Sequence, residues 1–127
     1  MRYLIDSSAW IEYLDGGASG EKVNKIIKEE NNEIITLALN ISEVISKTKR
    51  MNRNADLAYE SIISNAEFFD ITPEIAKEAG LLHSQLRKQN QSISIADTLM
   101  MISSEALSAR IVTKDNHFKN FKGVVLV

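Results

Sequence analysis

Five short apolar runs alternate with longer segments of helical spacing, and this alternation constrains the fold of the chain more than any other feature. The runs are Tyr3-Leu4-Ile5, Ile34-Ile35-Thr36-Leu37, Phe68-Phe69-Asp70-Ile71, Arg110-Ile111-Val112-Thr113 and Val124-Val125-Leu126-Val127. Unalternating runs rich in β-branched residues fit strands buried on both faces. Between them, apolar residues recur every three or four positions: Val23, Ile26, Ile27; Ile41, Val44, Ile45, Thr48; Ala55, Ala58, Ile62, Ala66; and Ile75, Ala79, Leu82, Leu86. That spacing gives each helix one apolar face. The pattern predicts βαβ units with right-handed crossovers. The expected class is α/β, a three-layer, doubly wound, mostly parallel sheet of about five strands with helices on both faces.

Local signals place some boundaries. Thr72-Pro73-Glu74 reads as N-cap, first-turn proline and acidic second position, and Gly80 falls inside the helix that follows. The segment Ser94 to Leu107 carries apolar residues around most of its circumference and is expected to be a central, buried helix. Trp10, Tyr13 and Leu14 have helical spacing that suits a core face or an interface. With one proline, five glycines and no low-complexity run in 127 residues, no linker is evident. Residues 1–127 are expected to form a single domain.

Composition narrows the class. The chain is 44% hydrophobic and 25% charged, as an ordinary soluble domain is. No stretch approaches the roughly 20 apolar residues of a bilayer span. Asp6 and Glu12 interrupt the region where a signal peptide needs an apolar segment. Neither membrane insertion nor secretion is expected. The absence of cysteine excludes disulfides and thiolate chemistry and fits a reducing compartment, so a cytoplasmic location is expected. With 15 Lys+Arg against 17 Asp+Glu the net charge is −2, so no global basic field can hold a polyanion. The one basic cluster is Lys47, Lys49, Arg50 and Arg53, which is either a solvated helix face or a local phosphate contact.

Ligands of an open parallel sheet bind beyond the carboxyl ends of its strands. Asp6 ends the first strand, and Glu43 is expected in the first turn of the helix after the second. Asp97 opens the apolar helix, and Asp115 lies two residues past the strand ending at Thr113. Each has a structural alternative. Asn40-Ile41-Ser42-Glu43 and Ser94-Ile95-Ala96-Asp97 have the form of capping boxes, and Asp6 and Asp115 could serve turns. Four such residues from four distant segments at one end of the sheet nevertheless suggest a common site. Two like charges about 4 Å apart repel by about 4 kcal/mol at an effective dielectric near 20, so gathered carboxylates take up protons or bind a cation. Mg2+ or Mn2+ suits such oxygen ligands. Zinc suits them poorly, since cysteine is absent and His83 and His117 read as core or surface fillers.

The segments carrying these acids resemble the four motifs of PIN domains. Leu4-Ile5-Asp6-Ser7-Ser8-Ala9-Trp10 is similar to the opening motif and Ile41-Ser42-Glu43-Val44 to the second. Ser94-Ile95-Ala96-Asp97-Thr98-Leu99 resembles the third, and Val112-Thr113-Lys114-Asp115-Asn116-His117-Phe118 the fourth. Order and spacing agree over essentially the whole chain, whose size resembles that of VapC-type toxins. Ser108-Ala109 stands where relatives often have a glycine turn, and Asn116 where some have a further acid.

The resemblance implies a metal-dependent endoribonuclease. Carried over, Asp6, Asp97 and Asp115 would hold Mg2+ or Mn2+, and Glu43 would complete the shell or orient the attacking water. Thr113 and Ser7 would lend hydroxyl support. Attack by metal-activated water would leave a 5′-phosphate and a 3′-hydroxyl. Lys47, Lys49, Arg50 and Arg53 could carry the RNA backbone to the acids. The implied partners are RNA, a small antitoxin protein and a second copy of the chain in a homodimer.

Other classes fit less well. Asp6-Ser7-Ser8 lacks the second aspartate of a haloacid-dehalogenase nucleophile motif. Gly16-Gly17-Ala18-Ser19-Gly20-Glu21-Lys22 lacks the ending of a phosphate loop, and no Gly-x-Ser-x-Gly elbow occurs. The remaining alternative is a PIN-like module that binds RNA or protein without catalysis.

Overall fold

The computed structural model describes residues 1–127. The first half of the chain runs β1 (Arg2–Ile5), α1 (Ser7–Asp15), α2 (Ala18–Lys28), β2 (Glu33–Leu37), α3 (Ala38–Arg50), α4 (Ala55–Asn65) and β3 (Glu67–Phe69). It continues through α5 (Pro73–Lys88), α6 (Ile95–Leu107), β4 (Arg110–Thr113), a 3-10 turn (Asn116–Phe118) and β5 (Val125–Leu126). All five strands are parallel, in the order β3-β2-β1-β4-β5. The chain builds outward from β1 through β2 to β3, then returns to lay β4 on the other side of β1. The switch point therefore lies between β1 and β4, where a doubly wound sheet opens a crevice for ligand.

Alternation along the strands divides the core into two layers. Ile5, Ile34 and Val112 point to the face covered by α1 to α4, where they meet Trp10, Val23, Val44 and Ile62. Leu4, Ile35, Leu37 and Ile111 point to the opposite face, against Met100, Met101 and Phe118 with Leu82 and Leu86 alongside. Trp10 is fully buried and donates its indole N–H to Thr36 Oγ1 at 3.1 Å, so its one polar atom is satisfied. α1 and α2 approach so closely at Gly20 that a Cβ there would lie 2.2 Å from the Glu12 carbonyl oxygen. This contact requires glycine for space.

Several boundaries differ from the expected ones. The third strand stops at Phe69, and Asp70 and Ile71 lead into the next helix; as an edge strand, β3 has only β2 to pair with. The last strand contracts to Val125–Leu126 at the other edge. α3 starts at Ala38, directly from β2, with Leu37 as N-cap. Asn40 is thus the third helical residue, and its Oδ1 accepts the Leu37 N–H at 3.1 Å. Glu43 consequently sits in the second turn and takes no part in capping, contrary to the sequence reading. α6 is central but not buried all round: Thr98, Met100, Met101, Ser103 and Ser104 are buried, whereas Ile95 and Ala106 face solvent. Thr72 caps α5 through the Ile75 N–H at 3.2 Å, with Pro73 at the first position. No helix is long and apolar enough to cross a membrane.

Candidate active site

At the switch point, β1 and β4 end side by side and each releases a polar residue. Asp6 follows β1, and its backbone N–H donates to the Val112 carbonyl at 2.9 Å, which registers it against β4. It occupies the N-cap position of α1 without making a side-chain cap. Its carboxylate turns instead to the end of β4, where Thr113 donates to Oδ2 at 2.8 Å. Ser8 donates to the same oxygen at 2.9 Å. Both hydroxyl oxygens are occupied as acceptors, Thr113 Oγ1 by the Asp115 N–H at 2.9 Å and Ser8 Oγ by the Lys114 N–H at 3.0 Å. The two hydroxyl oxygens also stand 3.0 Å apart, within reach of each other, and both can direct a hydrogen to Asp6, which suits an ionised carboxylate.

Burial acts in the opposite direction. Asp6 is only 7% exposed, and desolvation pushes its pKa above the ordinary value despite the hydrogen bonds from Thr113, Ser8 and the Ser7 backbone; the Asp97 charge raises it further. Glu43 reaches the same place from α3. It is exposed along its length, but partial enclosure of its carboxyl, and then the neighbouring Asp6, push its pKa up. The Ser7 hydroxyl and the Asn40 amide hold it down. Asn40 is fully buried and holds Nδ2 near Glu43 without closing a hydrogen bond of ordinary geometry.

Asp97 combines a helix cap with a place beside the other acids. With Ser94 it forms a reciprocal capping box, Ser94 N–H to Asp97 Oδ2 at 3.1 Å and Asp97 N–H to Ser94 Oγ at 3.1 Å. Its carboxylate nevertheless lies at the site, close enough to Asp6 and Glu43 to raise both pKa values. Asp115 caps the 3-10 turn, accepting the His117 N–H on Oδ1 at 2.9 Å. The turn brings the His117 imidazole between the two aspartates, with Nδ1 3.4 Å from Asp97 Oδ2 and 3.4 Å from Asp115 Oδ1.

The structure thus brings Asp6, Glu43, Asp97, Asp115, Thr113 and Ser7 together, and adds Ser8 and His117, which the sequence reading did not select. Ser8 has a legible signal, a hydroxyl two residues after an aspartate that ends a strand. The cue for His117 is the Asp115-Asn116-His117 turn, which folds the third side chain back over the first. A donor set of four carboxylates and one imidazole, in which burial and then neighbouring charge raise two pKa values, fits a divalent cation.

The basic cluster divides. Lys47 and Arg50 line a cleft of about 450 Å³ with Ser7, Ser8, Glu43 and Ser46, on the helix face that carries Glu43 to the site. Lys49, on the same helix, does not line this cleft. Arg53 pairs with Asp15 at a separate, more apolar cleft between α1 and α4, bordered by Ile11, Leu14, Met51 and Leu57. Of the four cations expected to serve the RNA backbone, Lys47 and Arg50 therefore border the cleft beside Glu43, and Arg53 is engaged with Asp15.

Comparison with known proteins agrees with this architecture. Among solved structures, VapBC2 from Rickettsia felis, bound to a DNA fragment from its promoter, superposes with a TM-score of 0.76 at 20% identity, covering 100% of this chain and 98% of that one. Mycobacterium tuberculosis VapC20, described as a Sarcin-Ricin loop cleaving toxin, gives 0.74 at 16% identity over 98% of each chain. VapBC-1 from nontypeable Haemophilus influenzae gives 0.74 at 16% identity, covering 100% of this chain and 97% of that one. No curated protein matches the sequence significantly. The sequence does match the PIN domain family over residues 3–124, with the four acid-bearing segments all inside the match, and the chain belongs to that family.

Proposed function

We propose that this protein is a divalent-metal-dependent endoribonuclease, the toxin of a toxin–antitoxin pair, acting as a single cytoplasmic domain. The observation that carries the reading is the convergence of Asp6, Glu43, Asp97 and Asp115, from four separate segments, on the switch point between β1 and β4. Burial and neighbouring charge make ionisation of Asp6 and Glu43 costly there, a cost that a resident cation would relieve.

Asp6, Asp97 and Asp115 would hold Mg2+ or Mn2+. When bound, the ion supplies a lowered pKa for the attacking water and neutralises charge on the phosphodiester. The chain's own residues set the geometry. Thr113 and Ser8 favour the ionised form of Asp6 against its burial and fix its orientation through Oδ2. Glu43, with its raised pKa, stands at the edge of the cleft where it can orient the water and take its proton. Lys47 and Arg50 extend the cleft from Glu43 along α3 and would meet the RNA backbone.

Support for the substrate and partner comes from the relatives. One is described as cleaving the Sarcin-Ricin loop, and others are VapBC assemblies. We extend to this chain RNA as substrate, a small antitoxin protein as partner and a homodimeric state. Because water rather than the ribose 2′-hydroxyl is the nucleophile, cut RNA should carry a 5′-phosphate on one product and a 3′-hydroxyl on the other. End-group analysis finding a 2′,3′-cyclic phosphate would refute the mechanism.

A further inference from the structure

The geometry points to His117 as a nitrogen ligand of the divalent ion, one that makes the site prefer a first-row transition ion such as Mn2+ over Mg2+. This inference rests on the metal-nuclease reading above and sharpens it.

The placement of the imidazole follows from the Asp115 turn. Asp115 Oδ1 accepts the backbone N–H of His117, and this closes the turn so that the ring returns over the acids. Nδ1 lies 3.4 Å from Asp97 Oδ2 and 3.4 Å from Asp115 Oδ1, and the three donor atoms all lie within 4.8 Å of one another. Both contacts are longer than an ordinary N–H···O hydrogen bond, so the ring is committed to neither carboxylate. Adjacent ligands of an octahedral ion with bonds of about 2.1 Å stand about 3 Å apart, and opposite ligands about 4.2 Å apart. The two 3.4 Å contacts of Nδ1 are within a few tenths of an ångström of the spacing of adjacent ligands.

Access and chemistry agree with this. The His117 side chain is 53% exposed and Asp97 13%, so the ring approaches from the solvent side while the carboxylates approach from the protein. The other histidine cannot substitute for it, because His83 Nε2 sits 3.1 Å from the Ile93 carbonyl and lies outside the acid cluster. An oxygen-only site suits hard Mg2+, whereas an imidazole in the set adds affinity for first-row transition ions. Replacing His117 with alanine keeps the backbone N–H that caps Asp115, so the turn survives the loss of the ring.

The test is Mn2+ binding to the purified full-length chain, followed by electron paramagnetic resonance with pulsed detection of 14N modulation. Wild type and His83→Ala should show histidine nitrogen coupled to Mn2+, and His117→Ala should lose it. The His117→Ala variant should bind Mn2+ about tenfold more weakly, while its affinity for Mg2+, measured by competition, stays within about twofold of wild type. The inference is overturned if 14N coupling is absent from wild type or persists in His117→Ala, or if both metals weaken equally. If Mn2+ binds wild type no more tightly than it binds Asp97→Asn, the metal-site reading itself fails and takes this inference with it.

Discussion

Thr113 at the end of β4 donates its hydroxyl hydrogen to Asp6 Oδ2 at 2.8 Å, joining residues 107 positions apart across the strand pair where the sheet reverses its order. Thr113 is fully buried, and its oxygen also receives the Asp115 N–H. One side chain thus fixes two of the four acids. Thr113→Val removes a donor to a buried carboxylate and should destabilise the fold by about 2 kcal/mol. Thr113→Ser, which keeps the hydroxyl, should lose less than about 1 kcal/mol. Urea unfolding of the two variants decides it, and equal stability of Thr113→Val and wild type would show that the bridge holds nothing.

Proton linkage gives a second expectation. Asp6 and Glu43 have pKa values raised above their ordinary 3.8 and 4.5, chiefly by burial. The folded state therefore binds protons more tightly than the unfolded chain. The stability this contributes is complete below the ordinary values and is lost as pH rises through the raised ones. In EDTA, unfolding free energy should fall as pH rises from the ordinary carboxylate values through the raised ones, and Asp6→Asn should flatten that slope. A divalent ion competes for the same carboxylates, so its affinity should weaken as pH falls. A metal-free protein whose stability climbs over this range, with Asp6→Asn behaving identically, would contradict the burial argument.

Charge placement predicts a division among the four cations. Lys47 and Arg50 line the cleft with Glu43, whereas Lys49 lies off it and Arg53 is engaged with Asp15. Neutralising Lys47 and Arg50 to glutamine should lower the salt slope of RNA binding by about 1 for each. Lys49→Gln and Arg53→Gln should leave it unchanged. Binding measured at several salt concentrations would reverse the assignment if the second pair carried the slope.

Two glycines in helices should respond in opposite directions. At Gly20 a methyl group would lie 2.2 Å from the Glu12 carbonyl oxygen, so Gly20→Ala must push α1 and α2 apart and should lose more than about 3 kcal/mol. At Gly80 nothing lies within 4 Å of the added carbon, and Gly80→Ala in the interior of α5 should gain about 0.5–1 kcal/mol. Thermal unfolding of both variants measures the contrast.

Much of the architecture is legible in the chain because its central strands are buried on both faces. Leu4-Ile5, Ile34-Ile35 and Ile111-Val112 each send successive side chains into opposite core layers, so the strands read as unbroken apolar runs. The edge strands are harder to read. Phe68 is 59% exposed, and its aromatic neighbour suggests a longer strand than a single partner sustains. The start of α3 misleads for a different reason. Asparagine is a favoured N-cap, yet Asn40 is the third helical residue and bonds backward to Leu37, which frees Glu43 for the cleft. His117 is harder to read, because its placement depends on a side-chain-closed turn rather than on any periodicity. Ser7 and Ser8 are alike in sequence, and only the geometry distinguishes which hydroxyl reaches Asp6 and which reaches Glu43.

The most direct measurement is cleavage of mixed structured and single-stranded RNA by the purified protein with Mg2+ or Mn2+, set beside an EDTA control and the Asp97→Asn variant, whose folding is verified by circular dichroism. The predicted result is cleavage by wild type that is abolished by EDTA and by Asp97→Asn. Equal cleavage by wild type and folded Asp97→Asn, or its persistence in EDTA, would contradict the metal-nuclease reading and leave a non-catalytic binding module in its place.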